Sequence, residues 1–211
     1  MQYTRHVSVW INPEKIARDV IVVGASAGGI RAVTKILSWL PADLEAFIGI
    51  VIHRGDAGSK ANWSDTLAMK TDLRVVEPGD RDVLTRGVAY VAPSDCHMRF
   101  ERGCIALDDG PKEHRMRPAA DPLFNSAALA YGPRVVGVVL TGGGHDGTKG
   151  LLGIATGGGV SLVQKPSEAD HASMPEYAIA HVRVSAELTI DEIGGALVQL
   201  ARGGAVQIAS A

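Results

Sequence analysis

The sequence predicts an α/β fold: a doubly wound, mainly parallel sheet with helices on both faces and a small antiparallel excursion around residues 87–107. Apolar runs rich in Val and Ile alternate with stretches of helical periodicity, which is typical of buried parallel strands joined by helices. The composition agrees, because 46% of the residues are hydrophobic while only 5% are aromatic. With 211 residues we expect one domain at 20–202, between an N-terminal extension at 1–19 and a tail at 203–211.

Each strand is predicted from a short apolar run bounded by turn residues. These runs lie at 20–23, 47–52, 75–76, 87–92, 97–102, 104–107, 135–140 and 160–163. The short runs between 87 and 107, separated by turns, predict the antiparallel excursion. Helices are predicted from apolar residues at helical spacing, at 30–40, 122–131, 148–155 and 175–180. The last helix is predicted to begin at Thr189, where Thr189 and Glu192 form a capping box.

The composition argues against several classes of function. The net charge of −2 leaves no electrostatic footprint for nucleic acid. No apolar run reaches the roughly 18 residues that would predict membrane insertion. Residues 1–18 lack the apolar core of a signal peptide, so we expect a cytoplasmic protein. The two cysteines, Cys96 and Cys104, face each other across a predicted hairpin turn, but reduced thiols are the expected state in the cytoplasm.

A glycine-rich turn follows the first apolar strand. Gly24-Ala25-Ser26-Ala27-Gly28 has the form G-x-S-x-G and leads into a predicted helix. Such a turn presents a serine hydroxyl beside backbone N–H groups, which makes Ser26 a candidate nucleophile. Two alternatives stay open: a small polar residue at a helix N-terminus, or an anion or nucleotide site, although G-x-G-x-x-G and G-x-x-x-x-G-K-[ST] are both absent.

Two further polar residues follow the carboxyl ends of apolar strands. His53 comes after the strand at 47–52, and Asp146 lies in the turn after the strand at 135–140. Because ligands of open α/β sheets bind at that edge, we expect Ser26, His53 and Asp146 to converge there as nucleophile, base and orienting acid. Taken one at a time, His53 also suits a strand cap and Asp146 an Asp-Gly turn. The order Ser, His, Asp differs from that of the α/β-hydrolases.

Other polar residues are weaker candidates. His97 and His145 are candidate substrate contacts, with core packing and a solvent-facing turn as the alternatives. His114, Arg115 and Arg117 form a basic cluster that suits either contact with an acidic partner or a solvated loop. Asp170 and His171 have no third ligand at recognisable spacing, so no metal site is predicted.

Several ordered motifs resemble the catalytic domain of the chemoreceptor methylesterases of bacterial chemotaxis, the CheB type. The resemblance runs over residues 19–200. It lies in the motifs Val23 to Gly29, Tyr90 to Pro93 followed by His97, Arg117 to Asp121 with Leu123-Phe124, Leu140-Thr141-Gly142 with Asp146-Gly147, and Met174-Pro175, and in the strand that ends at His53. It implies a Ser-His-Asp triad at Ser26, His53 and Asp146, with oxyanion-binding backbone N–H groups at Ala27 and Gly143. It also implies a reaction that needs no metal or organic cofactor.

The sequence departs from the family pattern near the expected site. Gly143 stands where the family commonly has Met, Ala27 where it often has Thr, and Arg54-Gly55 where a Met-Pro pair is common. The family's full-length members usually carry a receiver domain before the esterase, whereas only about 19 residues precede the first strand here. We therefore expect constitutive activity, or control by a separate response regulator.

The sequence thus predicts a stand-alone protein-glutamate methylesterase. Its expected partners are the methylated cytoplasmic helices of chemoreceptors, on which it would hydrolyse glutamyl methyl esters and also deamidate glutamines. The alternative is a non-catalytic signalling or docking module with the same fold.

Overall fold

The computed structural model describes residues 16–53 and 62–204. Within them the strands form a seven-stranded parallel sheet and a separate two-stranded antiparallel hairpin. The sheet contains β1 Val20–Ala25, β2 Phe47–Ile52, β3 Arg74–Val76, β4 Val88–Val91, β7 Val135–Val139, β8 Val160–Gln164 and β9 Ala186–Leu188, and the hairpin contains β5 His97–Phe100 and β6 Ile105–Asp108. The predicted α/β class with a parallel sheet and a small antiparallel element is confirmed.

Six α-helices lie in the described residues, five of them at predicted positions. They are α1 Gly29–Leu37, α2 Trp63–Ala68, α3 Ala120–Tyr131, α4 Thr148–Thr156, α5 Ser173–His181 and α6 Ile190–Ala201. Helix α1 ends at Leu37 rather than at residue 40, because Pro41 has no N–H to donate to the Leu37 carbonyl, which accepts from the Leu40 N–H at 3.1 Å instead. Sequence reasoning missed α2 and β9, which are only six and three residues long and show no resolvable periodicity.

The antiparallel excursion is narrower than predicted. Strand β4 pairs in parallel with both β2 and β3, and so belongs to the main sheet. Only β5 and β6 run antiparallel, with His97 opposite Asp108 and Phe100 opposite Ile105. The apolar residues of β4 are buried on both faces, as in a central parallel strand, and a short run of this kind does not reveal its direction.

The strand order brings the predicted site residues together. The sheet runs β3-β4-β2-β1-β7-β8-β9, so β2, β3 and β4 lie on one side of β1, and β7, β8 and β9 lie on the other. The edge between β1 and β7 is therefore a topological switch point, where a crevice opens at the carboxyl ends of the strands. Ser26 follows β1, and the loop that contains Asp146 follows β7.

Two apolar layers hold the sheet in place. On one face, Ile21 and Val23 of β1 pack with the apolar sides of α1, α2 and α6. On the other face, Val20 and Val22 pack with α3, α4, α5 and the hairpin. This alternation along one strand follows from the period of two in β-structure, and it confirms that helices cover both faces.

The structure describes only part of the predicted N-terminal extension and C-terminal tail. Residues 1–15 of the extension, residues 205–211 of the tail and the pair Arg54-Gly55 lie outside the described residues. The end of the extension contacts the domain: the Arg18 N–H donates to the Leu200 carbonyl at 3.0 Å, and buried Asp19 bonds to Arg134. The boundary at residue 20 stays a prediction.

Neither a membrane span nor a disulfide is found in the described part of the chain. None of its helices has the length and apolar character needed to cross a membrane. Both cysteines, Cys96 and Cys104, are free thiols.

The capping box at α6 provides a test of the fold. The Thr189 hydroxyl accepts from the Glu192 N–H at 3.3 Å, and the Glu192 carboxylate accepts from the Thr189 N–H at 2.8 Å. Thr189→Ala should lower the free energy of unfolding by about 1 kcal/mol, because it leaves an N–H of the first turn without its acceptor. Urea unfolding measures this. Thr156→Ala removes a hydroxyl that bonds only within its own helix, so a loss of equal size there would contradict a capping role.

Candidate active site

Ser26 lies in a tight turn between β1 and α1. Its N–H donates to the Thr141 carbonyl at 3.0 Å, which joins the turn after β1 to the loop after β7. Gly28, the residue before α1, has φ of 76°, a backbone conformation that glycine adopts without steric cost. The side chain of Ser26 is thus held half-buried at the switch point of the sheet.

His53 is placed beside Ser26 by strand register. Ala25 is opposite Ile52 in the β1–β2 pair, and the His53 N–H donates to the Ala25 carbonyl at 3.0 Å. The imidazole is only 5% exposed, and its Nε2 lies 2.6 Å from Oδ2 of Asp146. Its Nδ1 is buried and has no hydrogen-bond partner among the described residues.

The Asp146 carboxylate is 1% exposed and accepts several hydrogen bonds. Its Oδ2 accepts from the Ala120 N–H at 2.6 Å, and its Oδ1 accepts from the N–H groups of Asp121 at 3.1 Å and Gly147 at 2.8 Å. Burial by itself would raise the pKa of this carboxyl, but the hydrogen bond and charge of His53, with the N–H groups of Ala120 and Asp121, hold the pKa below its usual value. Asp146 is therefore an anion at neutral pH.

An anionic Asp146 selects one tautomer of His53. Because a carboxylate only accepts, Nε2 must carry the proton that it donates to Oδ2. The lone pair of the neutral ring is then on Nδ1, the buried nitrogen that no described group occupies. Nδ1 is thus the ring nitrogen of His53 that is able to accept a proton. The sequence indicated the pairing of His53 with Asp146 but carried no signal for which ring nitrogen Asp146 holds.

Gly142 allows the loop after β7 to approach Ser26. A Cβ atom on Gly142 would lie 2.7 Å from Cβ of Ser26 and 2.2 Å from Sδ of the buried Met174. The next residue, Gly143, faces open space, because nothing lies within 4 Å of the position that a Cβ atom would take there. The N–H groups of Ala27 and Gly143 donate to no acceptor among the described residues, so they are free to bind a ligand oxygen.

Gly142→Ala should lower the thermal unfolding temperature, because the added methyl group collides with Met174 and with Ser26. Overpacking of this kind costs about 1–3 kcal/mol. Gly143→Ala is the matched control, since its methyl group projects into open space and its backbone lies outside the left-handed region. Equal unfolding temperatures for both variants in differential scanning calorimetry would contradict this packing.

A cleft of about 330 Å³ opens beside His53 and Asp146. It is further lined by His114, Arg115, Met116, Gly143, Gly144 and His145. Of the predicted substrate contacts, His145 therefore borders the cleft, and its exposed ring packs between those of His114 and Tyr177. Its role in binding substrate stays a prediction.

The other two candidates are engaged elsewhere. His97 is 1% exposed, with Nε2 at 3.1 Å from the Pro111 carbonyl and Nδ1 at 3.3 Å from the Ala119 N. Both ring nitrogens of His97 thus form hydrogen bonds with backbone groups, and neither is available to a substrate. Arg117 donates to Asp95 at 2.9 Å and to the Gly110 carbonyl at 2.7 Å, and does not line the cleft.

Sequence reasoning missed a second imidazole–carboxylate pair. Nε2 of His114 lies 2.9 Å from Oδ2 of Asp121, which is fully buried and also accepts from the Gly150 N–H at 2.7 Å. Burial, and then the charge of Asp146, raise the pKa of Asp121 above its usual value. The only available signal was the basic cluster at 114–117, which does not indicate that a carboxylate seven residues away holds His114.

The two buried carboxyls should make stability depend on pH in opposite directions. The pKa of Asp146 is lowered by folding, so its anion contributes stability above the unfolded-state pKa, and this contribution is lost as the pH falls through the folded-state pKa. The pKa of Asp121 is raised by folding, so its contribution is complete below the unfolded-state pKa and is lost as the pH rises through the folded-state pKa.

Asp146→Asn should therefore destabilise the protein more at neutral pH than in acid. The difference in free energy of unfolding between the native protein and Asp146→Asn should shrink as the pH falls below about 4, because the unfolded chain takes up a proton there while the folded protein still holds Asp146 as an anion. Urea unfolding at several pH values measures this difference. A difference that stays constant down to the pH of acid unfolding would contradict the lowered pKa of Asp146.

Glu113, His114 and Asp121 bring ligand atoms within 4.8 Å of one another. The contact between His114 and Asp121 is already satisfied by a hydrogen bond, and no further unpartnered group of the described residues is directed at the cluster. Asp170, the other acidic residue considered for metal binding, forms an ion pair with Arg31 at 2.9 Å. The expectation that the reaction needs no metal stays a prediction.

Comparison with known proteins agrees with this fold. The sequence matches the family described as CheB methylesterase over residues 21–197. A protein-glutamate methylesterase/protein-glutamine glutaminase 2 of Anaeromyxobacter dehalogenans is 40% identical over 191 residues, which are 90% of this chain and 56% of that protein. A putative protein-glutamate methylesterase/protein-glutamine glutaminase of Leptospira interrogans is 34% identical over 86% of this chain and 94% of that protein. The chain spans about half the length of several other curated relatives it matches.

The fold has a counterpart of known structure. The crystal structure of the Thermotoga maritima CheB methylesterase catalytic domain matches this chain with a TM-score of 0.81 and 29% sequence identity, over 88% of this chain and 100% of that one. The resemblance drawn from the sequence motifs is thereby confirmed, and the chain belongs to the CheB methylesterase family.

Proposed function

We propose that this protein is a serine-type protein-glutamate methylesterase, which hydrolyses glutamyl methyl esters to glutamate and methanol and also deamidates glutamines. The observation that carries the proposal is the orientation of His53: Asp146 holds Nε2 at 2.6 Å, while the buried Nδ1 has no partner in the described residues. A base in this state, adjacent in register to a serine on a glycine-rich turn, has the parts required for acyl transfer.

In the first half-reaction, Ser26 Oγ attacks the ester carbonyl and Nδ1 of His53 takes its proton. The Asp146 anion stabilises the resulting imidazolium, and the N–H groups of Ala27 and Gly143 stabilise the negative charge on the carbonyl oxygen. The tetrahedral intermediate then collapses as the carbon–oxygen bond to the methoxy group breaks. His53 returns the proton to that oxygen, so methanol leaves and an acyl-serine is formed.

In the second half-reaction, water replaces methanol. Nδ1 of His53 takes a proton from water as the oxygen attacks the acyl carbon, and the proton passes to Ser26 Oγ when the bond to serine breaks. Free glutamate and the original serine result. For a glutamine substrate the same steps release ammonia. No step calls for a group beyond the side chains and backbone amides named here and one water molecule.

The proposed substrates are the methylated cytoplasmic helices of chemoreceptors, and the proposed location is therefore the cytoplasm. Two relatives carry the names protein-glutamate methylesterase and protein-glutamine glutaminase, which supports this substrate class. His53 and Asp146 line an open cleft, which leaves room for a flexible side chain such as a methylated glutamate.

Covalent labelling separates this proposal from a non-catalytic docking module with the same fold. Purified protein should be labelled at Ser26 by a fluorescent alkyl phosphonate, detected by peptide mass mapping, and should release methanol from methylated receptor membranes. The Asp146→Asn protein should be labelled much more slowly. Absence of both labelling and methanol release in a correctly folded protein would favour the docking module.

A further inference from the structure

A two-residue turn forms part of the wall of the cleft beside His53. The N–H of Glu113 donates to the Met116 carbonyl at 3.1 Å, and the N–H of Met116 donates to the Glu113 carbonyl at 2.7 Å. His114 and Arg115 occupy the two central positions, with φ of 50° and 66°. This arrangement needs left-handed backbone at both positions, for which Asn-Gly is the preferred pair.

The residues found in this turn are unfavourable for its backbone. Side chains with a Cβ at positive φ cost free energy, and such residues tend to occur where a side chain is needed in a particular place. Here the turn directs an imidazole and a guanidinium into the lining of the cleft, and Met116 continues the same wall. An Asn-Gly turn would hold the same backbone but would not supply a cation.

His114 bonds to a buried carboxylate through Nε2. Its Nε2 lies 2.9 Å from Asp121 and 4.0 Å from Oδ1 of Asp146, and the Glu113 carboxylate is within 4.8 Å. Its ring also packs edge-on against that of His145. These contacts join the turn to buried Asp121 and to His145, so His114 anchors the turn.

Arg115 has no such partner. It is exposed, and no carboxylate of the described residues lies within 4 Å of its guanidinium. Two other arginines near the site, among the residues that the structure describes, are neutralised: Arg31 pairs with Asp170 at 2.9 Å and Arg117 with Asp95 at 2.8 Å. Of the described residues that line the cleft, Asp146 is buried and bonded to His53, whereas Arg115 is exposed and has no ion-pair partner among the described residues.

We propose that Arg115 is a specificity-determining residue that binds a carboxylate of the substrate peptide close to the methylated glutamate. The inference rests on the proposed function and adds the chemistry of the substrate to it: an acidic peptide segment. A planar guanidinium takes a carboxylate through two parallel hydrogen bonds, which would orient the ester toward Ser26 as well as attract the peptide.

The test compares two synthetic peptides that differ only beside one γ-glutamyl methyl ester, with glutamate at the flanking positions in the first and alanine in the second. Methanol release gives kcat/KM for each. The native protein should favour the acidic peptide by about 2- to 5-fold, as for an exposed ion pair, and raising the salt concentration should reduce this ratio. Arg115→Gln should bring the ratio close to one, and Arg115→Lys should keep part of it.

Arg183→Gln is the matched control, because Arg183 is exposed near the amino end of β9, at the opposite edge of the sheet. It should leave the ratio unchanged. A ratio near one in the native protein, or a ratio that Arg115→Gln does not change, would overturn the assignment of Arg115. A Lys variant that behaves as Gln would still support it, since the bidentate geometry is then the decisive feature.

A binding measurement separates this assignment from the proposed function. Fluorescence anisotropy gives Kd for both peptides with Ser26→Ala protein, with and without Arg115→Gln. If neither peptide is hydrolysed by the native protein, the proposed function fails. An acidic-peptide preference in Kd that disappears with Arg115→Gln would then still support Arg115 as the recognition residue, and equal Kd values would overturn it.

Discussion

Ser26→Ala should reduce methanol release from methylated receptor membranes by several orders of magnitude. Without its hydroxyl group the protein cannot form the acyl-serine, and His53 has no alcohol proton to accept. Removal of a nucleophile from a triad typically leaves only the small rate acceleration that the oxyanion donors and substrate binding supply. Single-turnover assays that trap the released methanol measure the residual rate of ester hydrolysis.

The Ser26→Ala protein should fold normally, because Ser26 is half-buried in a turn held by backbone hydrogen bonds that the substitution keeps. Its circular dichroism spectrum and unfolding temperature should match those of the native protein. Ser38→Ala is a suitable control, since Ser38 is an exposed residue at the far end of α1. Turnover at the native rate in Ser26→Ala would exclude the proposed mechanism.

Asp146→Asn should lower the rate by as much as about 10⁴-fold. The oxygen of the new amide is best placed at the Oδ1 position, where it accepts from the N–H groups of Asp121 and Gly147. The NH₂ group then replaces Oδ2 and donates to Nε2 of His53, which places the imidazole proton on Nδ1. The ring in that tautomer cannot accept the proton of Ser26.

The same substitution should also lower stability at neutral pH by about 1–3 kcal/mol. The new NH₂ group faces the Ala120 N–H, which donates to Oδ2 at 2.6 Å in the native protein and would lose its buried acceptor. Chemical denaturation measures this loss of stability. Measuring kcat at a temperature well below the unfolding transition separates the loss of stability from the catalytic effect. Asp43→Asn serves as control, since Asp43 is 80% exposed. If Asp146→Asn kept full activity, Asp146 would be a turn residue only.

Local patterns are sufficient to predict most elements of the fold. The strand predicted at 47–52 has its observed bounds, and the capping box at Thr189 lies where the residue types predict it. Apolar runs and caps are local properties of the chain, and they act on backbone within a few residues. The placement of Ser26, His53 and Asp146 after strand ends follows from the same local patterns, because parallel strands present their carboxyl ends at one edge.

Tertiary structure decided the features that depend on contacts between distant residues. The strand order, the parallel direction of β4 and the switch point beside β1 depend on how long crossovers pack, which no short run of sequence encodes. Distances of a few ångströms between separate elements decide that Asp146 bonds to Nε2 of His53. They also decide that His114 bonds to Asp121. The sequence by itself determined which chemical groups stand at the active edge of the sheet, and packing decided which atom of each group is left free to react or to bind.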